Sequence, residues 1–247
     1  MGNVLIGSML TEARVPEPFP VNTAAPSPHP ELLLMLLADA RLPTSGHTQS
    51  AGLEPALQGG LDPDDTVGYC RARLATVTLV DAATAVVARH RALHGLGTDV
   101  VEEAWEARTP SPALRVTAFA LGRAYRRLAL QVWPDAPALA EMGAVTRPSR
   151  ARVVGLVAAA TGLGAGQLAR LIAYDDMQSV LSASLKLVPG DPVAATARLL
   201  DLAPDVERLV RRCADLREAS DIPAASAPLI EAWAEAHASS TRRLFRG

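Results

Sequence analysis

The chain has 247 residues, a 49% hydrophobic fraction and a net charge of −2: it can bury a sizeable core and lacks the basic excess that sequence-independent nucleic-acid binding requires. Only 4% of its residues are aromatic, so alanine, leucine and valine carry the packing, an ordinary pattern for a helical protein. Two cysteines, Cys70 and Cys213, lie far apart within helical patterns, which argues against a disulfide framework or a metal knuckle and points to a reducing cytoplasm.

Residues 1–29 read as a disordered or extended arm, because Pro16, Pro18, Pro20, Pro26 and Pro28 deny it regular structure. Val4 to Leu10 is short, broken by Gly7 and preceded by no lysine or arginine, so it does not read as an export signal. The weakly polar run Val153 to Gly166 is too short and glycine-rich to cross a membrane.

From Pro30 onward one device recurs: a capping residue or turn, then proline at the first helical position, then apolar residues at spacings of 3 and 4. It occurs at His29-Pro30, Asp62-Pro63, Ser111-Pro112, Asp191-Pro192, Ala203-Pro204 and Ala227-Pro228. Helices are expected over 30–40, 51–58, 63–94, 99–107, 112–132, 149–161, 165–187, 192–201, 204–218 and 227–239. No segment sustains period-2 alternation. The expected fold is all-α, a single-domain bundle of about ten helices over 30–240, followed by a basic tail at 241–247.

The stretch Leu42 to Glu54 interrupts this pattern with glycines and small neutral polar groups. Pro43 fixes φ, Gly46 and Gly52 permit conformations other residues avoid, and Ser50 can cap the helix that follows. Such a segment either folds onto its own domain as an Ω-like loop or meets another protein.

Further along, helix 165–187 carries a polar stripe at Asp175, Gln178, Ser179, Ser182 and Lys186. Helix 204–218 solvates itself with Glu207, Arg208, Arg211 and Arg212, whereas this stripe is mostly small. Of the 24 basic residues only Lys186 is lysine, which hints at a compact ammonium wanted at an interface. His90 and His94 share a helix face, yet Arg89 and Arg91 flank them unfavourably for a metal and no third ligand follows. Asp175-Asp176 resembles the aspartate-rich magnesium site of all-α isoprenoid synthases, leaving a magnesium-dependent enzyme as one alternative; a helical ligand-binding regulatory module with a buried apolar pocket is another. No phosphate-binding loop, dinucleotide fingerprint or nucleophile motif is present. The tail Arg242 to Gly247 reads as a frayed end, or as an aromatic anchor, Phe245, set among guanidinium groups.

Four segments, in order, resemble the urease accessory protein UreF family. The first is Leu42, Pro43, Gly46, His47, Thr48, Ser50, Gly52, Leu53 and Glu54; the second is Leu114-Arg115 with Gly122. The third is Tyr174, Gln178, Ser182, Ala183, Lys186, Leu187, Val188 and Pro189. The last is Ala227, Pro228, Leu229, Glu231 and His237, then Arg243-Leu244-Phe245-Arg246. The resemblance implies a non-enzymatic all-α homodimer that binds UreD (also called UreH) and recruits the GTPase UreG, so that nickel enters apo-urease. It implies no resident cofactor, nickel being handled by the complex; charge and hydropathy argue separately against nucleic-acid and membrane partners. On this basis Gln178, Ser182 and Lys186 are expected on the UreG side. His237, Arg243, Leu244 and Phe245 are expected on the UreD side, and Pro43, Gly46, Ser50, Gly52, Leu53 and Glu54 form an interface motif. The chain departs from the family pattern at His47, Ala118, Ala238 and Gly247, and at Pro189-Gly190-Asp191-Pro192, where the family has a glutamine-containing turn.

Overall fold

The computed structural model describes residues 29–44, 46–241 and 243–246, with His47 described by its backbone alone. Apart from His29, the expected proline-rich arm lies outside the described residues. Among them are eleven α-helices and no strand, as the all-α reading requires. In chain order these are α1 (Pro30–Leu37), α2 (Leu53–Gln58), α3 (Thr66–Ala75), α4 (Val77–Leu93), α5 (Asp99–Arg108) and α6 (Pro112–Val132). Then follow α7 (Arg150–Thr161), α8 (Ala165–Leu187), α9 (Pro192–Asp201), α10 (Ala203–Cys213) and α11 (Pro228–Ser239).

At three of the six proline starts a carboxylate or hydroxyl before the proline takes up a free amide of the first turn. Asp62 accepts from Asp64 N, Ser111 from Leu114 N and Asp191 from Val193 N. Ser149 does the same for Arg152 N at the start of α7. Three boundaries differ from expectation. The stretch 63–94 is not one helix: a 3-10 turn at Pro63–Asp65 leads into α3, and the chain breaks at Thr76 (φ −128, ψ −99). The break falls where the Thr76 hydroxyl donates to Ala72 O at 2.7 Å. Helix α10 stops at Cys213, where Leu216 N turns back onto Cys213 O, and α1 stops at Leu37 before the Asp39–Arg41 pair. A 3-10 segment at Pro137–Gly143, opened by proline at its first position, was not among the expected elements.

Helix α4 is the central rod, packed against α7 and α8 as well as α3, α5 and α10. Its residues Ala82 to Ala88 are all buried, so it is apolar around its circumference, as a helix enclosed by others must be. Small side chains let α7 approach closely at Gly155, where a Cβ would run into the Ala85 carbonyl oxygen. Gly122 plays the same part between α6 and α7: a Cβ there would meet the Pro148 carbonyl. That contact gives the glycine of the Leu114–Gly122 segment a packing reason.

Arg152, only 2% exposed, ties three elements together. Its guanidinium donates to Thr98 Oγ1 at 2.7 Å, Asp99 Oδ1 at 2.8 Å and Glu141 Oε1 at 3.3 Å, joining α5, the 137–143 segment and α7. Cys70 and Cys213 are buried free thiols, and burial pushes both up to about 12, which makes them packing groups rather than reactive ones.

Candidate functional site

Residues far apart in sequence converge where α2, the end of α8 and the C-terminal tail meet. Glu54, in the first turn of α2, is 5% exposed and accepts from the tail amides Leu244 N and Phe245 N, both at 2.8 Å. Thr48 O accepts from Arg246 N at 2.9 Å. Phe245 is 5% exposed, and the Lys186 ammonium lies 5.2 Å from its ring centroid, a cation–π contact. The frayed-end expectation is therefore corrected: residues 243–246 are held, because a buried carboxylate supplies the acceptors that two successive amides need.

The Leu42–Glu54 segment folds onto its own domain. Ser50 and Leu53 are fully buried and Thr44 nearly so. Ala51 (φ 49) and Gly52 (φ 76) are consecutive left-handed residues, and Tyr69 OH donates to Ala51 O at 2.8 Å. Because these two residues form the corner, α2 starts at Leu53 and its N-cap is Gly52 rather than Ser50; the Ser50 hydroxyl instead accepts from Glu54 N at 3.4 Å. A Cβ on Gly52 would also stand 2.8 Å from the Tyr69 hydroxyl. Gly52→Ala should therefore lower stability by about 2 kcal/mol through left-handed strain alone, read as a lower urea midpoint with an unchanged slope. Pro43 is exposed, and a Cβ on Gly46 would meet nothing within 4 Å, so packing makes no demand at either position.

The four residues assigned to one partner divide by burial. Phe245 and His237 face inward, while Arg243 and Leu244, the latter 63% exposed, face solvent. His237 on α11 is 5% exposed, and its Nε2 lies 4.0 Å from Glu54 Oε2. On α8, Tyr174, Gln178, Ser182 and Lys186 follow at four-residue spacing along one ridge. Ser182 and Lys186 are exposed, and Gln178 Nε2 donates to Ser182 Oγ at 3.1 Å. Gly190-Asp191 has a local role: Asp191 caps α9.

Asp175 and Asp176 turn inward from that ridge. Arg150 pairs with Asp175 at 2.6 Å, and Arg73 holds Asp176 with two bonds of 2.7 and 2.9 Å, to which Thr78 adds its hydroxyl. Each carboxylate of the proposed magnesium motif is thus committed to an arginine. Among the described residues no group of three His, Cys, Asp or Glu could hold a metal ion. His90 and His94 stack with ring centroids 4.2 Å apart, and His94 Nδ1 bonds the His90 carbonyl.

Beside this junction lies a cleft of about 460 Å³ between the loop, α6, α8 and α11. Val77, Val80 and Leu121 give it apolar walls, and Asp81, Arg73 and Arg150 give it charge. Sequence reading missed these charged residues: each sits singly in an unremarkable helical pattern, and only the packing of α3, α4, α7 and α8 gathers them. No helix among the described residues is long and apolar enough to cross a membrane.

A family model described as UreF matches residues 61–203. The urease accessory protein UreF of Mycolicibacterium vanbaalenii is 33% identical over 214 residues, covering 86% of this chain and 96% of the relative. Those of Mycobacterium sp. strain JLS and Mycobacterium bovis strain BCG / Pasteur 1173P2 are 35% and 34% identical, again over 86% of this chain and 96% and 97% of theirs. Relatives of this extent bear the name of accessory proteins, not of enzymes. The chain belongs to the UreF family of urease accessory proteins.

Proposed function

We propose that this chain acts as a scaffold of urease maturation. It forms a homodimer in the cytoplasm, binds UreD through its C-terminal tail, and recruits the GTPase UreG through the α8 ridge, so that nickel enters apo-urease. It carries no resident cofactor; nickel is handled by the assembled complex. The observation that supports this most is the junction itself: the motif loop, the end of α8 and the tail are one structure, joined at Glu54–Phe245 and at Lys186–Phe245. A scaffold that keeps two partners in register needs their docking surfaces to be mechanically continuous. Here the contact of Lys186 with Phe245 supplies that continuity.

The contact also dictates the test. Lys186→Ala disturbs the tail as well as the ridge, so exposed positions separate the two surfaces better. Tagged protein is co-purified with UreD and UreG from the same cell, comparing Leu244→Asp and Ser182→Arg with the parent. Both side chains point to solvent, so folding should be unaffected. Leu244→Asp is expected to lose UreD, and Ser182→Arg to lose UreG while keeping UreD. Retention of both partners at parental levels by both variants would sink the assignment.

A further inference from the structure

The cleft between α6, α8 and α11 has polar groups left without hydrogen-bond partners. The buried side-chain atoms lacking a hydrogen-bond partner among the described residues are Gln49 Oε1 and both ring nitrogens of His237, and both residues line this cleft. Buried polar atoms are nearly always paired, so two such residues on one cleft point to an occupant that completes them.

Asp81 adds a charge. It stands on the cleft wall one turn beyond Thr78 and accepts from Trp105 Nε1 at 2.8 Å. Asp175 and Asp176 beside it have arginine partners, whereas Asp81 makes no ion pair among the described residues. Burial pushes its carboxyl above the usual range, against the pull of the Trp105 N–H and of the Arg150 and Arg73 charges. Asp176 pushes it in the same direction as burial.

We propose that the cleft receives an arginine side chain, together with an adjoining apolar residue, from a partner polypeptide, with Asp81 as the anionic acceptor. Asp81, Gln49 Oε1 and the unprotonated ring nitrogen of His237 all accept, so what they lack is donors; the His237 N–H has the Glu54 carboxylate as its nearest acceptor, 4.0 Å from Nε2. A guanidinium offers five N–H donors and no acceptor, on a stem whose methylenes suit the walls formed by Val77, Val80 and Leu121. A polypeptide rather than a free small cation is indicated by the mouth. Val116 lines it while 63% exposed, and the tail residues Arg243 and Arg246 stand at the same opening. An apolar side chain placed as Val116 is would be covered when a protein segment docks. The incoming charge passes Arg243 and Arg246, which line the cleft, and is offset by Glu231 and Glu235 of α11. This inference holds whichever protein supplies the segment.

The test uses the full chain alone. It is titrated with the peptide acetyl-Leu-Arg-Leu-amide and with the same peptide carrying citrulline, the uncharged isostere of arginine. The Trp105 indole N–H resonance is the reporter, because that group bonds Asp81. The arginine peptide should bind about tenfold more tightly than the citrulline peptide and shift that resonance. Asp81→Asn keeps an acceptor for Trp105 and removes a desolvated charge, so it should fold and yet erase the arginine preference. Ala118→Phe, which fills the cleft from α6, should weaken both peptides. Equal binding of the two peptides, an arginine preference that survives Asp81→Asn, or no binding by the folded parent at millimolar peptide would each overturn the proposal.

Discussion

Gly155→Leu is expected to leave the chain without a cooperative thermal transition. Gly155 lies mid-helix in α7, where glycine costs roughly 0.5–1 kcal/mol relative to alanine, so it persists only where something larger is gained. The gain is close approach to α4. A Cβ at this position would run into the Ala85 carbonyl oxygen and stand 2.9 Å from Ala88 Cβ. Helix α4 cannot retreat, because α8 and α10 pack against it as well. Backbone atoms cannot rotate out of the way as a side chain can. Inserting even one or two methylenes into a packed core costs about 1–3 kcal/mol, against a domain stability of about 5–15 kcal/mol. Leucine adds four carbons where the backbone of α7 already faces the Ala85 carbonyl of α4. Gly155→Ala should give a graded loss of about 2 kcal/mol. Gly97→Ala, whose Cβ meets nothing within 4 Å, should change stability by less than about 0.5 kcal/mol. Circular dichroism melts of the three variants decide it. A Gly155→Leu protein that melts within a few degrees of the parent would refute the packing argument.

Much of the fold was legible because its punctuation is local. Asp62-Pro63, Ser111-Pro112 and Asp191-Pro192 each place a side-chain acceptor within three residues of the amide it serves. The break at Thr76 was not legible. Its hydroxyl bond to Ala72 O is available to any helical threonine, and no glycine or proline marks the spot. The stop of α10 at Cys213 was hidden for a similar reason, since Ala214 and Leu216 continue a helical pattern that the turn at Cys213 overrules.

The site shows the same divide. Lys186 stood out by composition, and Phe245 by being an aromatic in a basic tail, yet their contact joins residues 59 positions apart. No spacing rule reaches that far. Glu54 was visible only as part of a motif, because its work is done on amides about 190 residues away. The cleft residues Arg73, Asp81 and Arg150 come from three helices, and a pattern read along one helix at a time cannot bring them together.

Glu54→Ala is expected to release the tail from an otherwise intact bundle and, on the scaffold reading, to abolish retention of UreD. Hydrogen bonds to a charged acceptor contribute about 1.5–3 kcal/mol each, and Glu54 accepts two from the tail. Burying Phe245 contributes about 1.5–3 kcal/mol, and the Lys186 contact roughly 0.5–1 kcal/mol. Ordering residues 243–246 costs about 1–2 kcal/mol per residue. With the carboxylate the balance favours attachment by a small margin. Without it, the ring, the cation and the Arg246 N–Thr48 O bond, which adds about 0.5–1.5 kcal/mol, fall short of the entropic cost, and two amides lose their acceptors. Glu54→Gln should also release the tail, since its amide group presents hydrogens to one of the two N–H groups. Trypsin supplies the readout, because Arg243 and Arg246 are exposed. Cleavage after Arg243 should accelerate at least tenfold in both variants, while Phe245→Ala, which keeps the carboxylate, should show a smaller increase. If Glu54→Ala is cut no faster than the parent, the tail is held without the carboxylate, to the loop by the Arg246 N–Thr48 O bond and to the α8 ridge by Lys186 and Phe245.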